Sequence, residues 1–242
     1  RMFIMAIRPV FCPNLPTTAS SPGVRTMNVE FKWVPGQAHS QRQKCAASLQ
    51  ASIEEVYPQI RALEISSKSN VGLGVALSAL NLAGKAGITV ETAYQCGKVF
   101  NGGIGPFDAY RGYDSRVVRK AVREAAEGHY LVGFSEAGRA WPLEPTSLFY
   151  DWLYCSALYE NKDLSEQLLQ YNGFTDIEFN PEKSVSSQAA AAAYYVSLHA
   201  FGQLEVVMGS AIAFQAWYTR QSVLVKQPFS QGEFAFQEGG GR

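Results

Sequence analysis

Ile88–Phe100, ITVETAYQCGKVF, reads as an amphipathic helix whose polar side chains fall in one line. At about 100° per residue, Glu91, Gln95 and Lys98 lie within roughly 60° of arc. Val90, Ala93, Tyr94 and Val99 flank them and offer a surface to a core. Thr89 suits the N-cap position, because its hydroxyl can accept from a free N–H of the first turn. Glu91 and Lys98 stand about two turns, roughly 10 Å, apart, too far for a side-by-side ion pair. A substrate atom fits in the gap, between a carboxylate, an amide and an amine. Gly97 in mid-helix costs about 1 kcal/mol relative to Ala, which points to a packing or close-approach reason. Spacing alone favours the plainer alternative, a solvated face that carries a Glu and a Lys.

Working outward, the helix runs into Asn101–Gly112, NGGIGPFDAYRG. Gly102 and Gly103, followed by Gly105-Pro106, free backbone N–H groups and permit positive φ, as phosphate-cradling turns require. No GK[ST] follows and no strand precedes, so it is neither a Walker loop nor a dinucleotide fingerprint. A plain surface turn explains it equally well. Upstream, LEISSKSNVGLGVALSALNL places Ser66, Lys68 and Ser78 near glycines, after a strand-like start. Downstream, TDIEFNPEKSVSSQ alternates Asp176 and Glu178 with Ile177 and Phe179, so both carboxylates are expected on one strand face. Asn180, Lys183 and Ser184 then turn into an Ala-rich helix that begins at Ser184 or Ser187 and runs through His199.

The remaining pattern is mixed and mostly helical. Ala6–Cys12 and Val29–Val34 read as strands around the PNLPTTASSPG loop, and Gln37–Tyr57 as a helix that Pro58 ends. Gly72–Leu82 reads as a helix or compact loop-helix, and Ser115–Glu127 as a charged amphipathic helix. Tyr130–Phe134 reads as a strand, Trp141–Pro145 as a turn, and Thr146–Tyr159 and Leu164–Tyr171 as helices, the last capped by Gly173. Val185–Tyr218 reads as a buried helical pair. The βαβ alternation of a doubly wound sheet is missing. Aromatic residues such as Trp141, Phe149, Tyr150 and Trp152 are expected in the core.

Of the 242 residues, 47% are apolar and 17% charged, enough for a substantial core and against global disorder. The formal net charge is zero, which argues against a protein that coats nucleic acid by charge alone. The first fifty residues are basic, however, with Glu30 their single acid. Cys12, Cys45, Cys96 and Cys155 are scattered and form no CxxC pair, which reads as the reduced cysteines of a cytoplasmic protein. No HExxH or Cys/His cluster offers a metal site, and no apolar run is long enough to predict a membrane span. Residues 1–4 read as a cloning remnant, 6–228 as one domain, and 230–242 as a frayed tail.

VETAYQCGKVF resembles the central motif of the NADAR family, VE-x-x-x-Q-x-x-K-x-F. The likeness continues through LEISSKS, LSALNL, GGIGPFDAY, WPLEPTSLFYDWLY and DIEFNPEKS to the QA-rich helix, roughly Ala6–His199. It is similar to the NADAR antitoxins encoded beside DarT-type DNA ADP-ribosyltransferase toxins. FNPEKS stands where the short YbiA-like members carry a tryptophan-glycine motif, and the longer N-terminal part also favours the toxin-associated branch. The resemblance implies a compact, predominantly helical α+β domain with a few short strands. It implies an N-glycosidase that removes ADP-ribose from the guanine amino group in DNA and so counters a cognate toxin. The alternatives are a YbiA-like hydrolase of a free ribosylamine nucleotide, and a non-catalytic ADP-ribose-binding module.

In that chemistry Glu91 is the expected general acid. Lys98 is either a nucleophile that passes through a Schiff base or a charged partner of Glu91. Gln95 orients a ribose hydroxyl. Gly102, Gly103 and Asp108 hold the diphosphate or ribose, and Asp176, Phe179, Asn180 and Lys183 close the other side. Ser66, Lys68 and Ser78 complete the binding set. No metal or other cofactor is required.

Overall fold

Two ten-residue strands open the chain in a computed structural model that describes residues 4–181, 184 and 186–226. β1 (Ile4–Pro13) and β2 (Val24–Trp33) pair antiparallel, from Ile4 opposite Trp33 to Pro13 opposite Val24. Each is longer than its β-branched centre predicts, because the hairpin carries pairing outward from Val10 and Val29. α1 (His39–Val56) then crosses the hairpin and buries Cys45, Leu49 and Ile53, one stripe at i, i+4 and i+8. β3 (Ala62–Glu64) joins the same sheet, and α2 (Gly72–Ala76) follows as a short turn of helix.

α3 (Val90–Cys96) is the central helix, and β4 (Lys98–Phe100) leaves it directly. A loop and α4 (Ser115–Ala125) lead to the hairpin of β5 (Leu131–Glu136) and β6 (Arg139–Trp141). α5 (Leu148–Glu160) and α6 (Lys162–Leu168) precede β7 (Gly173–Thr175), which inserts between β1 and β3. The chain ends in α7 (Gln188–Ala200), α8 (Leu204–Met208) and α9 (Ala211–Lys226). One sheet thus has the order β2-β1-β7-β3 and the other β4-β5-β6. Helices predominate over these small sheets, which makes the fold α+β.

The main core forms where α5 and α7 cross. Ala189, Ala191, Ala192 and Ala193 are buried there, and the Cys155 thiol of α5 donates to the Ala191 carbonyl. The Tyr154 hydroxyl donates to the Leu77 carbonyl at 2.7 Å, which ties α5 to the segment ahead of α3. A second cluster lies between α1 and the first sheet, and a third, small one joins Cys96, Phe107, Val118 and Val122. All four cysteines are buried and free of disulfides. Among the described residues no helix is long and apolar enough to cross a membrane.

Several expected elements are corrected. The helix stops at Cys96, and Gly97 is its C-cap, with its N–H on the Ala93 carbonyl. A Cβ at Gly97 would stand 2.6 Å from the Phe149 ring and 3.1 Å from the Ser135 carbonyl, so close packing explains the glycine. Lys98 and Val99 pair instead with Phe134 and Gly133 of β5. Tertiary pairing therefore overrides a helical pattern, and the helical arc from Glu91 to Lys98 does not exist. Arg139–Trp141, where a turn was expected to begin, closes the second sheet as β6. Gly72–Leu82 is helical only to Ala76. Gly173 lies in β7 rather than capping a helix, where a side chain would run into Ile60. The predicted strand Thr175–Asn180 ends at Thr175, so Asp176 and Glu178 do not share a strand face. Asp176 turns inward and Glu178 turns out toward Arg42, 3.4 Å away. Residues 1–3, Lys183 and the tail 230–242 lie outside the described residues.

Candidate active site

A cavity of about 950 Å³ opens between α3, the β5 strand, the Pro142–Tyr150 segment and the turn after β7. Its lining includes Ser66, Lys68, Ser78, Glu91, Gln95, Asp176, Phe179 and Asn180. Residues from three separate stretches of sequence thus meet at one place. Thr89 accepts from the Thr92 N–H and starts α3, which directs Glu91 and Gln95 to the cavity one turn apart. Gln95 Nε2 donates to Glu91 Oε1 at 3.0 Å. The same oxygen accepts from Arg119 Nη2 at 2.7 Å. Arg119 reaches over from α4, lines the cavity and remains half exposed. Its role was not legible at the sequence level, since only the fold brings residues 91 and 119 together.

Lys98 is not part of the cavity lining. Its Nζ lies 5.2 Å from the centre of the Tyr94 ring, and Tyr94 does line the cavity. Burial lowers the Lys98 pKa, Glu91 opposes the shift, and the Arg119 charge adds to it. The amine therefore stands beside the cavity wall with a weakened hold on its proton. Gly102 and Gly103 have φ of 78° and 76° but lie in a turn outside the lining. Asp108 is likewise outside, and it holds Arg111 at 2.7 Å. The glycine loop's visible work is packing: Phe107 joins Cys96, Val118 and Val122, and the Phe107 N–H donates to the Cys96 carbonyl.

The opposite wall carries a pair of buried carboxyls, Asp176 in the lining and Glu64 outside it. Glu64 accepts from the Ser66 hydroxyl at 2.7 Å, the Thr175 hydroxyl at 2.6 Å and the Ile177 N–H at 2.8 Å. Asp176 accepts from the Glu178 N–H at 3.1 Å and Gln188 Nε2 at 3.0 Å. Burial first, and the nearby Glu64 second, push the Asp176 carboxyl up to about 8. Ser66 is thus both part of the lining and a support for Glu64. A second cavity of about 520 Å³ shares the Glu144–Ser147 wall and is lined by Asp151, Tyr194 and Tyr218. Burial raises Asp151 to about 7, against the hydrogen bond that the Tyr218 hydroxyl donates at 2.7 Å.

An α+β domain with a cleft lined by polar and apolar side chains alike, a lysine of lowered pKa beside it and carboxyls of unlike environment has the equipment for acid–base and nucleophilic work on a bound ligand. The chain matches the model of the DarT1-associated NADAR antitoxin family over residues 6–228. It belongs to that family. No curated protein matches it.

Proposed function

We propose that the chain is an N-glycosidase that removes ADP-ribose from the amino group of guanine in DNA and so reverses the action of a DarT-type toxin. Family membership supports the antitoxin role. The observation that carries the catalytic reading is the cavity itself, where Glu91, Gln95 and Arg119 face the Ser66–Ser78 segment and Asp176. About 950 Å³ accommodates a nucleotide-sized group together with part of a base. Glu91 Oε1 is committed to Arg119 and Gln95, which holds the carboxylate in place beside the reacting sugar. Lys98, next to Tyr94, supplies an amine that can attack the anomeric carbon once it has lost its proton. The Ser78 hydroxyl and the Lys68 side chain line the cavity and can donate to the ribose and diphosphate oxygens. We place the whole activity in residues 6–228, acting in the cytoplasm without a cofactor.

Guanine-ADP-ribosylated DNA incubated with the wild type releases ADP-ribose under this reading. Glu91→Gln and Lys98→Ala each slow the release by about 10²-fold or more. No release by the wild type overturns the reading. Borohydride added during turnover traps a covalent adduct on Lys98 if the Schiff-base route operates; turnover without an adduct assigns the lysine an electrostatic role.

A further inference from the structure

We propose that Asp176 is the general acid of the reaction, giving its carboxyl hydrogen to the guanine nitrogen as the glycosidic bond breaks. The proposal rests on the reading of the cavity given above. Four carboxyls line that cavity among the described residues: Glu91, Glu144, Asp176 and Glu178. Glu91 is engaged by Arg119 and Gln95. Glu144 accepts from the Thr146 N–H and hydroxyl, and Glu178 is exposed and faces Arg42. Asp176 is the buried one.

Its surroundings fix where the proton sits. Gln188 Oε1 accepts from the Ala79 N–H at 2.6 Å, so its Nε2 must be the atom that points at Asp176. Ser66 Oγ accepts from the Lys68 N–H, which leaves the hydroxyl hydrogen for Glu64. Glu64 therefore has three donors and Asp176 two, all neutral. Two buried carboxyls side by side do not both ionise at ordinary cost, and the one with more donors keeps the charge. That leaves the hydrogen on Asp176. The groups facing it from neighbouring elements are Glu64 of β3, Glu178 of its own turn, Tyr150 and Tyr154 of α5, and the uncharged Gln188 of α7. Among the described residues Lys68 and Arg119 line the same cavity, and neither is bonded to Asp176.

In the step, the bond from the anomeric carbon to nitrogen breaks and its electron pair goes to nitrogen. Nitrogen takes the Asp176 hydrogen and leaves as the ordinary guanine amino group. The anomeric carbon gains oxygen from water, and the proton shed by that water returns to Asp176.

The test compares wild type, Asp176→Asn and Glu64→Gln on two substrates across pH. One substrate is guanine-ADP-ribosylated DNA. The other is the 4-nitrophenyl glycoside of ADP-ribose, whose phenolate leaves without a proton. Asp176→Asn is expected to lose about 10²–10³-fold in kcat on the DNA with KM little changed, and to keep the aryl activity within about threefold. The wild-type rate on DNA declines above about pH 8, a limb that Asp176→Asn lacks. Glu64→Gln removes a neighbouring negative charge and moves that limb to lower pH. Asp176→Asn that keeps the wild-type DNA rate, or loses both substrates equally, overturns the proposal while the activity stands. A wild type that releases nothing from guanine takes down the reading and the proposal together.

Discussion

Arg119 acts on two groups at once. It bonds Glu91 at 2.7 Å, and its charge adds to the lowering of the Lys98 pKa that burial begins. If the lysine reacts as a neutral amine, Arg119→Gln raises the Lys98 pKa and shrinks the fraction of free amine at a given pH. The acid limb of kcat on ADP-ribosylated DNA then moves to higher pH, whereas Arg119→Lys retains most of the wild-type profile. A profile that does not move in Arg119→Gln assigns the guanidinium to anchoring Glu91 alone. Asp151 bears on stability instead. Its folded pKa of about 7 lies above the ordinary carboxylate value, so the folded state keeps a proton that the unfolded chain sheds. The contribution of Asp151 to stability therefore falls as pH rises from about 4 to 7 and is level beyond. Asp151→Asn still accepts from Tyr218 but has no proton to lose. It is expected to gain roughly 1–4 kcal/mol over wild type at pH 8, and nothing near pH 4, in urea titrations at the two pH values.

At the scale of elements, the junction of α3 and β4 sets the geometry of the site. Gly97→Ala pushes a methyl group against Phe149 and the Ser135 carbonyl. A loss of about 1–3 kcal/mol in chemical denaturation is expected, since the ring can move only by disturbing Tyr94 and Phe134. Unchanged stability would mean that α5 gives way freely. The same junction shows what sequence reading reaches. Thr89 as cap and Glu91 with Gln95 on one side of a helix follow from local chemistry, as do α1, α4, α5 and α7. The break at Gly97 does not, because its causes are a ring on α5 and a strand more than thirty residues downstream. The polar residues around Ser66 and Asp176 were legible as clusters. Their meeting was not, because it needs β3 and β7 to lie parallel in one sheet. Arg119 and Asp151 carried no local signal at all: one is an arginine on a charged helix, the other an acid within an aromatic run.

For the molecule as a whole, the clusters differ greatly in size. The main core runs through α5, α7, α8 and α9, while the fully buried part of the third cluster is Cys96, Phe107, Val118 and Val122. α4 buries Val118 and Val122 in that small core and lies along α3, with Arg119 turned to Glu91 and its other charged residues outward. The arginine that holds Glu91 therefore rides on a helix whose buried side chains belong to the smallest of the three clusters. Local opening free energies track such packing. Amide hydrogens of Ser115–Ala125 are expected to exchange well before those of Leu148–Glu160 and Gln188–Ala200, by a route that does not require global unfolding. Equal protection across these helices would show α4 to be part of the main cooperative unit. A helix that lifts at small cost would act as a hinged side to the cleft: it admits a substrate as bulky as a DNA strand, then returns the guanidinium to its carboxylate.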